Sequence, residues 1–361
     1  LQVLHAKQHI SDLPAVSHGG INSAGLAGSS VNPDAVLDFS TCCNPYGPPK
    51  QLRRAIRETD FSTYPDPGST AMLHTLAQKL GISQENLILG NGSTEIIRLA
   101  AAAYLGPGDR AVMPSPTYGE YELACRIVNS DVIKFILREK DGFQLNAAEF
   151  AAFAKSRQPA GIFLCNPNNP TGQYLSFDHV SMILQEFPDS LVVLDEAYIA
   201  FTSGAWDSLK LLKSPNLLIV RSMTKDFALA GLRLGYGIAS KSIIGTLKKV
   251  RPPWNVNSLA QQAGRMALSC DDYILSCCQR INRCKLYLAG EIIKLGLKVI
   301  PSQTNFFIFK TGDAAGFQNR LLQRGFLVRD CTSFGLPEYV RISPRSMPDC
   351  RRLTAAIREV C

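Results

Sequence analysis

From about residue 86 onward, short apolar runs alternate with longer stretches in which apolar positions recur every three or four residues. The short runs are NLILG (86–90), RAVMP (110–114), VIKFI (132–136), GIFLC (161–165), LVVLD (191–195), LLIVRS (217–222) and GYGIA (235–239). Several are apolar over four or five consecutive positions, which predicts strands covered on both faces. STEIIRLAAAAYLG and FDHVSMILQEF, lying between them, carry a helical period. Alternation of this kind predicts an α/β fold, a mostly parallel sheet wrapped by helices.

The texture changes after about Ser258. SLAQQAGRMAL and DYILSCCQRINRCKLYLAGEIIKLG predict long helices, followed by short strands in LKVIP, NFFIFK, FLVRDC and YVRIS and a final helix near PDCRRLTAAIREV. The expected division is a loop-rich N-terminal segment (1–45) packing on a small C-terminal α+β domain (266–361), with a large domain over 46–265 between them.

Composition narrows the class. With 361 residues, 46% apolar and 19% charged, the chain reads as an ordinary globular protein long enough to bury a pocket. No apolar run reaches the roughly 18–20 residues that span a bilayer. The opening LQVLHAKQHISDLP lacks the apolar core of a secretory signal, so a cytoplasmic protein without membrane partners is expected. The net charge of +8 is dispersed in groups such as LKKVR and QLRRAIRE, which argues against a nucleic-acid partner. Eleven cysteines, an odd number, show no metal-binding spacing, so reduced and mostly buried thiols and no metal are expected.

In open α/β sheets, ligands bind beyond the carboxyl ends of the strands. After NLILG, Gly92-Ser93-Thr94 opens a helix whose N–H groups and hydroxyls suit an anion, or simply a helix cap. After RAVMP, Tyr118 offers a ring for stacking on a flat ligand or for packing. The turn NPNNPTG after GIFLC can present the Asn169 amide. Asp195 follows four apolar residues and needs a donor or a cation. Finally, SMTKDFALAGLRLGY carries Ser222, Lys225 and Arg233. Each feature has a plainer structural use when taken alone. Together, a lysine, an acid for a ring nitrogen, a phosphate cup and a stacking ring meet the needs of pyridoxal 5′-phosphate.

On the ordered set GNGSTE, NPNNPTG, DEAY and SMTK…LAGLRLGY, the chain resembles the fold-type I pyridoxal-phosphate enzymes of the aspartate aminotransferase superfamily, class I/II. The resemblance covers nearly the whole chain. It implies that Lys225 carries the cofactor as a Schiff base and that Asp195 pairs with the ring nitrogen. It also implies that Asn169 and Tyr198 hydrogen-bond the 3′-oxygen while Tyr118 stacks on the ring. Gly92, Ser93, Thr94, Ser222 and Arg233 would hold the phosphate. Tyr64, in STYPDPGS, would reach the phosphate of a partner subunit, which implies a homodimer with shared sites.

Two groups within the superfamily compete. Histidinol-phosphate aminotransferases share LAGLRLGY and NPNNPTG. Threonine-phosphate decarboxylases of cobalamin biosynthesis share these and resemble the chain further at His18-Gly19-Gly20, at DFS…NPYGPP, at Pro253-Trp254-Asn-Val-Asn257 and at Arg329-Asp-Cys331 followed by Arg341. His18, the Gly19 amide, Arg329 and Arg341 would then clamp the substrate's anionic groups. Cys42 stands where such decarboxylases often carry asparagine, and a thiol cannot replace an amide's hydrogen bonds. The substrate-contact set is therefore His18, Gly19, Cys42, Asn169, Arg329 and Arg341. On this resemblance the expected reaction is decarboxylation of L-threonine O-3-phosphate, or of L-serine phosphate. Transamination of histidinol phosphate is the alternative, and a non-catalytic cofactor-binding sensor is the third reading, opposed by the intact Lys225 and Asp195.

Overall fold

The computed structural model describes residues 4–13, 16–21 and 32–361, so positions 1–3, 14–15 and 22–31 of the expected N-terminal segment lie outside the described residues. The first strand is short, β1 (Leu37–Asp38). Two helices follow, Lys50–Glu58 and Thr70–Leu80, in a stretch the apolar pattern had not singled out.

Seven strands build the main sheet: β2 (Leu87–Asn91), β3 (Arg110–Ser115), β4 (Asp131–Ile136), β5 (Gly161–Cys165), β6 (Leu191–Asp195), β7 (Leu217–Ser222) and β8 (Leu234–Ala239). Their spatial order is β2-β8-β7-β6-β5-β3-β4, and all pairings are parallel except the two that β8 makes. The two-residue period sends Leu89, Val112, Leu164, Leu194 and Ile219 to one apolar cluster and Ile88, Met113, Phe163, Val193 and Val220 to another. Both faces of the sheet are therefore covered, which is why the strands read as continuous apolar runs. Covering helices start on side-chain caps: Asn146 accepts from Ala148 N, Ser176 from His179 N and Asn257 from Ala260 N. Each cap contributes about 1 kcal/mol.

From β3 the chain moves outward to β4 and then returns to the other side of β3 to form β5. That reversal opens a crevice at the carboxyl ends of β3 and β5, the place where sheets of this kind take ligands.

Beyond the sheet, the helices Ser258–Ala267 and Asp271–Lys294 lead to β9 (Phe307–Lys310), β10 (Phe326–Leu327), β11 (Arg329–Asp330) and β12 (Tyr339–Ile342), and Met347–Val360 closes the chain. The antiparallel order is β11-β12-β9, while β10 pairs in parallel with β1. Phe39 is buried with Leu288, Phe307, Phe309 and Leu353 in a third cluster. Two expectations need correction here. LKVIP forms no strand but only a bridge from Val299 to Phe309, and Pro301 lacks the N–H to extend it. FLVRDC is two strands, because the chain changes pairing partner at Val328.

All eleven cysteines are free thiols and eight are buried. No helix among the described residues is long and apolar enough to cross a membrane.

Candidate active site

The crevice widens into a cavity of about 400 Å³. It is bounded by the ends of β3, β5, β6 and β7, by the segments Val16–Gly19 and Ser40–Cys42, and by Arg329 and Arg341 from β11 and β12.

At one end are groups suited to hold an anion. The helix Gly92–Tyr104 begins there, and its first N–H groups have no partner within the helix. Gly92 adopts φ 73°, and a Cβ on it would lie 2.7 Å from Arg233 Nη2. Gly92 N donates to the Arg233 carbonyl at 2.9 Å, so the cradle and the arginine are built as one piece. A Cβ on Gly235 would sit 2.7 Å from Gly92 C, so β8 passes directly beneath this turn only because position 235 has no side chain. Ser93, Thr94, Ser222 and Arg233 all face the cavity. The Ser222 and Thr224 hydroxyls share a hydrogen bond of 2.6 Å.

Asp195 ends β6 and is fully buried. Tyr121 Oη donates to its Oδ2 at 2.7 Å and Ala197 N to its Oδ1 at 3.0 Å. Burial pushes the carboxyl up to about 6 despite these two donors. Among the described residues no lysine or arginine makes an ion pair with this carboxylate, although the Lys225 charge reaches it, and a protonated ring nitrogen would supply a direct partner. Burial and the Asp195 charge raise the Tyr121 phenol well above its ordinary value, so it stays a donor.

Tyr118 lies beside Asp195, edge-on to Tyr121 with ring centroids 5.5 Å apart, and its hydroxyl is 3.3 Å from Thr94 Oγ1. Burial raises the Tyr118 phenol to about 12. Lys225 Nζ lies 6.0 Å from the centroid of the Tyr198 ring. The Lys225 backbone is held from the opposite side, with Asn44 N donating to the Lys225 carbonyl at 2.7 Å and Asn44 Nδ2 to that of Asp226 at 2.9 Å. A cradle, a stacking ring, a buried acid and a lysine around one cavity fit pyridoxal 5′-phosphate.

On the substrate side, the three asparagines of NPNNPTG divide their work. Asn166 Oδ1 accepts from Leu175 N, and Asn168 bonds Thr117, Thr171 and the Pro116 carbonyl, so both build the turn. Asn169 is left to accept from Arg341 Nη1. Arg341 Nη2 donates to the Ser40 carbonyl at 2.8 Å, while its Nε is buried without a partner. Cys42 faces the cavity beside Arg341 and Lys225, and burial raises its thiol, which keeps it a neutral neighbour.

His18, Gly19 and Arg329 line the cavity, and the side chains of His18 and Arg329 are already engaged. His18 Nε2 is 3.0 Å from Glu120 Oε1. Arg329 donates to the Ser17 hydroxyl at 2.9 Å, the Ser17 carbonyl at 2.7 Å and Ser333 Oγ at 2.7 Å. Tyr64 does not reach this cavity from its own chain; it is 78% exposed and stacks on Trp254 with centroids 4.5 Å apart. Sequence reasoning assigned no role to Tyr121, Glu120, Ser17, Ser40 or Asn44; Ser40 and Asn44 lie in the DFS…NPYGPP phrase, and Tyr121 stands three positions after Tyr118 beside a strand end.

The family model of class I and II aminotransferases matches residues 34–357. Histidinol-phosphate aminotransferase 2 of Carboxydothermus hydrogenoformans is 36% identical over 308 residues, 83% of this chain and 84% of that one. A putative threonine-phosphate decarboxylase of Caldanaerobacter subterraneus subsp. tengcongensis is 32% identical over 325 residues, 87% of this chain and 88% of that one. Among solved structures, the histidinol-phosphate aminotransferase of Clostridium acetobutylicum superposes with a TM-score of 0.83 at 26% identity, covering 90% of this chain and 99% of that one.

Proposed function

The chain belongs to the class I and II aminotransferase family, and from that premise we propose that it transfers an amino group to 2-oxoglutarate from a phosphorylated amino alcohol, histidinol phosphate. The family's cofactor, pyridoxal 5′-phosphate, supplies the electron sink for the bond that breaks at the substrate's Cα. The chain's own residues orient and protonate. Asp195, held by Tyr121 and Ala197, would keep a proton on the cofactor's ring nitrogen. Lys225 stands where one amine both joins the cofactor and moves the Cα proton.

One observation carries the choice of substrate. Of the arginines that line the cavity, Arg233 belongs to the phosphate cradle, Arg126 pairs with Glu122 at 2.9 Å and Arg329 holds Ser17. Arg341 bonds Asn169 and Ser40 through its two Nη groups but keeps a buried Nε without a partner among the described residues, so it is the arginine we take to meet a substrate anion. Histidinol phosphate brings one anionic group, whereas threonine phosphate brings two. The greater identity to an aminotransferase supports the same reading and reverses the order expected from the sequence.

Decarboxylation is kept as a second reading because Val16–Gly19 lies against the cavity and because of the relative from Caldanaerobacter. In that case Arg329 has to leave Ser17 to take the second anion. We further propose that the enzyme is a homodimer and that Tyr64 serves the partner's phosphate cradle, which accounts for a stacked aromatic pair held out toward solvent. Assays with histidinol phosphate, threonine phosphate and serine phosphate test the reaction. Glutamate formed from 2-oxoglutarate and histidinol phosphate is expected, and CO₂ released from either phosphoamino acid without 2-oxoglutarate would overturn the proposal.

A further inference from the structure

The residues Val16–Gly19 line the cavity and with Gly20 form a strap against it, which is fastened at two points. Toward β11, Arg329 takes the Ser17 carbonyl and hydroxyl. Toward the main sheet, His18 Nε2 meets Glu120 Oε1 at 3.0 Å, and the other Glu120 oxygen accepts from Arg98 Nη2 at 3.1 Å. Between these points Gly20 N donates to Ser40 Oγ at 2.8 Å, and a Cβ on Gly19 would lie 2.7 Å from the Ser40 carbonyl.

Glu120 is unlike an ordinary surface ion pair. Its side chain is 5% exposed, while those of His18 and Arg98 are 53% and 50% exposed. Exposed pairs contribute little because water competes for both partners, but a buried carboxylate depends on the partners it has. Arg98 lies on the helix Gly92–Tyr104, whose first turn forms the phosphate cradle. Glu120 thus joins the strap to the element that holds the cofactor; it lines a neighbouring hollow that shares His18, Tyr118, Lys225 and Arg233 with the substrate cavity.

We propose that Glu120 is a positioning residue that fixes the strap over the bound substrate through His18, so that its removal impairs substrate retention and leaves the chemistry at Lys225 intact. The proposal rests on this cavity being the substrate site, but one of its readouts requires no turnover. Hydrogen exchange in the cofactor-loaded enzyme reports the strap directly. Glu120→Ala is expected to speed exchange at the Gly20 amide, which donates to Ser40 Oγ, about 10-fold, and Glu120→Gln, which keeps the shape and one hydrogen bond, by less.

With histidinol phosphate and 2-oxoglutarate, Glu120→Ala should raise KM roughly 5- to 30-fold with kcat altered less than about 2-fold. For KM, Glu120→Ala combined with His18→Ala should be clearly less than additive, because Glu120 reaches the strap through His18, while its bond to Arg98 lies off the strap. Unchanged exchange in both Glu120 variants, additive effects in the double variant, or a fall in kcat at constant KM would each overturn the proposal. If Glu120→Ala does not fold, Glu120→Gln and His18→Ala decide it by the same exchange measurement. Should histidinol phosphate prove inert, the functional reading fails while the exchange result still decides the role of Glu120.

Discussion

The bond between Tyr121 and Asp195 leads to a prediction with a definite dependence on pH. Asp195 is fully buried, and burial holds its carboxyl near 6 although Tyr121 and Ala197 donate to it. Its unfolded value is about 3.9, so the uncharged acid favours the cofactor-free fold below pH ~4. That contribution is lost as pH rises through about 6, and the two-unit difference is worth about 3 kcal/mol. Tyr121→Phe removes a hydrogen bond to a charged group, worth about 1.5–3 kcal/mol. The carboxyl should then titrate roughly 1–2 units higher. The apoprotein variant should be less stable by about 0.5–1.5 kcal/mol at pH 5, where a neutral bond is lost, and by roughly a further 1.5–3 kcal/mol at pH 8.5. Urea unfolding of both apoproteins at the two pH values measures this directly. A deficit that is equal at both would refute the reasoning, because the phenol would then not be supporting an ionising carboxylate.

Three further outcomes follow from the same geometry. Arg341→Lys replaces a planar fork with a single ammonium, so KM for the phosphorylated substrate should rise about 10- to 100-fold in steady-state assays, with a smaller change in kcat. Gly92→Ala forces a left-handed φ on a residue whose Cβ would lie 2.7 Å from Arg233, and the strain of about 1–3 kcal/mol should appear as weaker cofactor affinity by equilibrium dialysis. Tyr64→Ala touches an exposed ring and should alter unfolding by no more than about 0.5 kcal/mol. If Tyr64 serves the partner's site, mixing Tyr64→Ala with Lys225→Ala subunits should restore activity through hybrid dimers, and no recovery would exclude the shared site.

The strands β5, β6 and β7 coincide with their apolar runs because each is covered on both faces and bounded by polar residues. The antiparallel direction of β8 left no mark on its residues, since its neighbours on either side impose it. Asp195, Lys225, Tyr118 and Asn169 were legible as one site because each follows a strand, and a parallel sheet gathers such positions at one edge. The engagement of Arg329 by Ser17, 312 positions away, and of His18 by Glu120, 102 positions away, was not legible. Neither partner carries a local signal, and the pairing exists only once the strap lies against the cavity. The expected choice of reaction was weakest for that reason. Among the marks it rested on were His18 and Arg329, whose surroundings are set farthest away.

The central claim is that the lysine after β7 is the attachment point of pyridoxal 5′-phosphate. Borohydride reduction of the purified enzyme, followed by peptide mapping, tests it most directly. The account predicts a pyridoxyl label on Lys225 and none after Lys225→Ala; a label fixed on another lysine, or full activity in that variant, would contradict it.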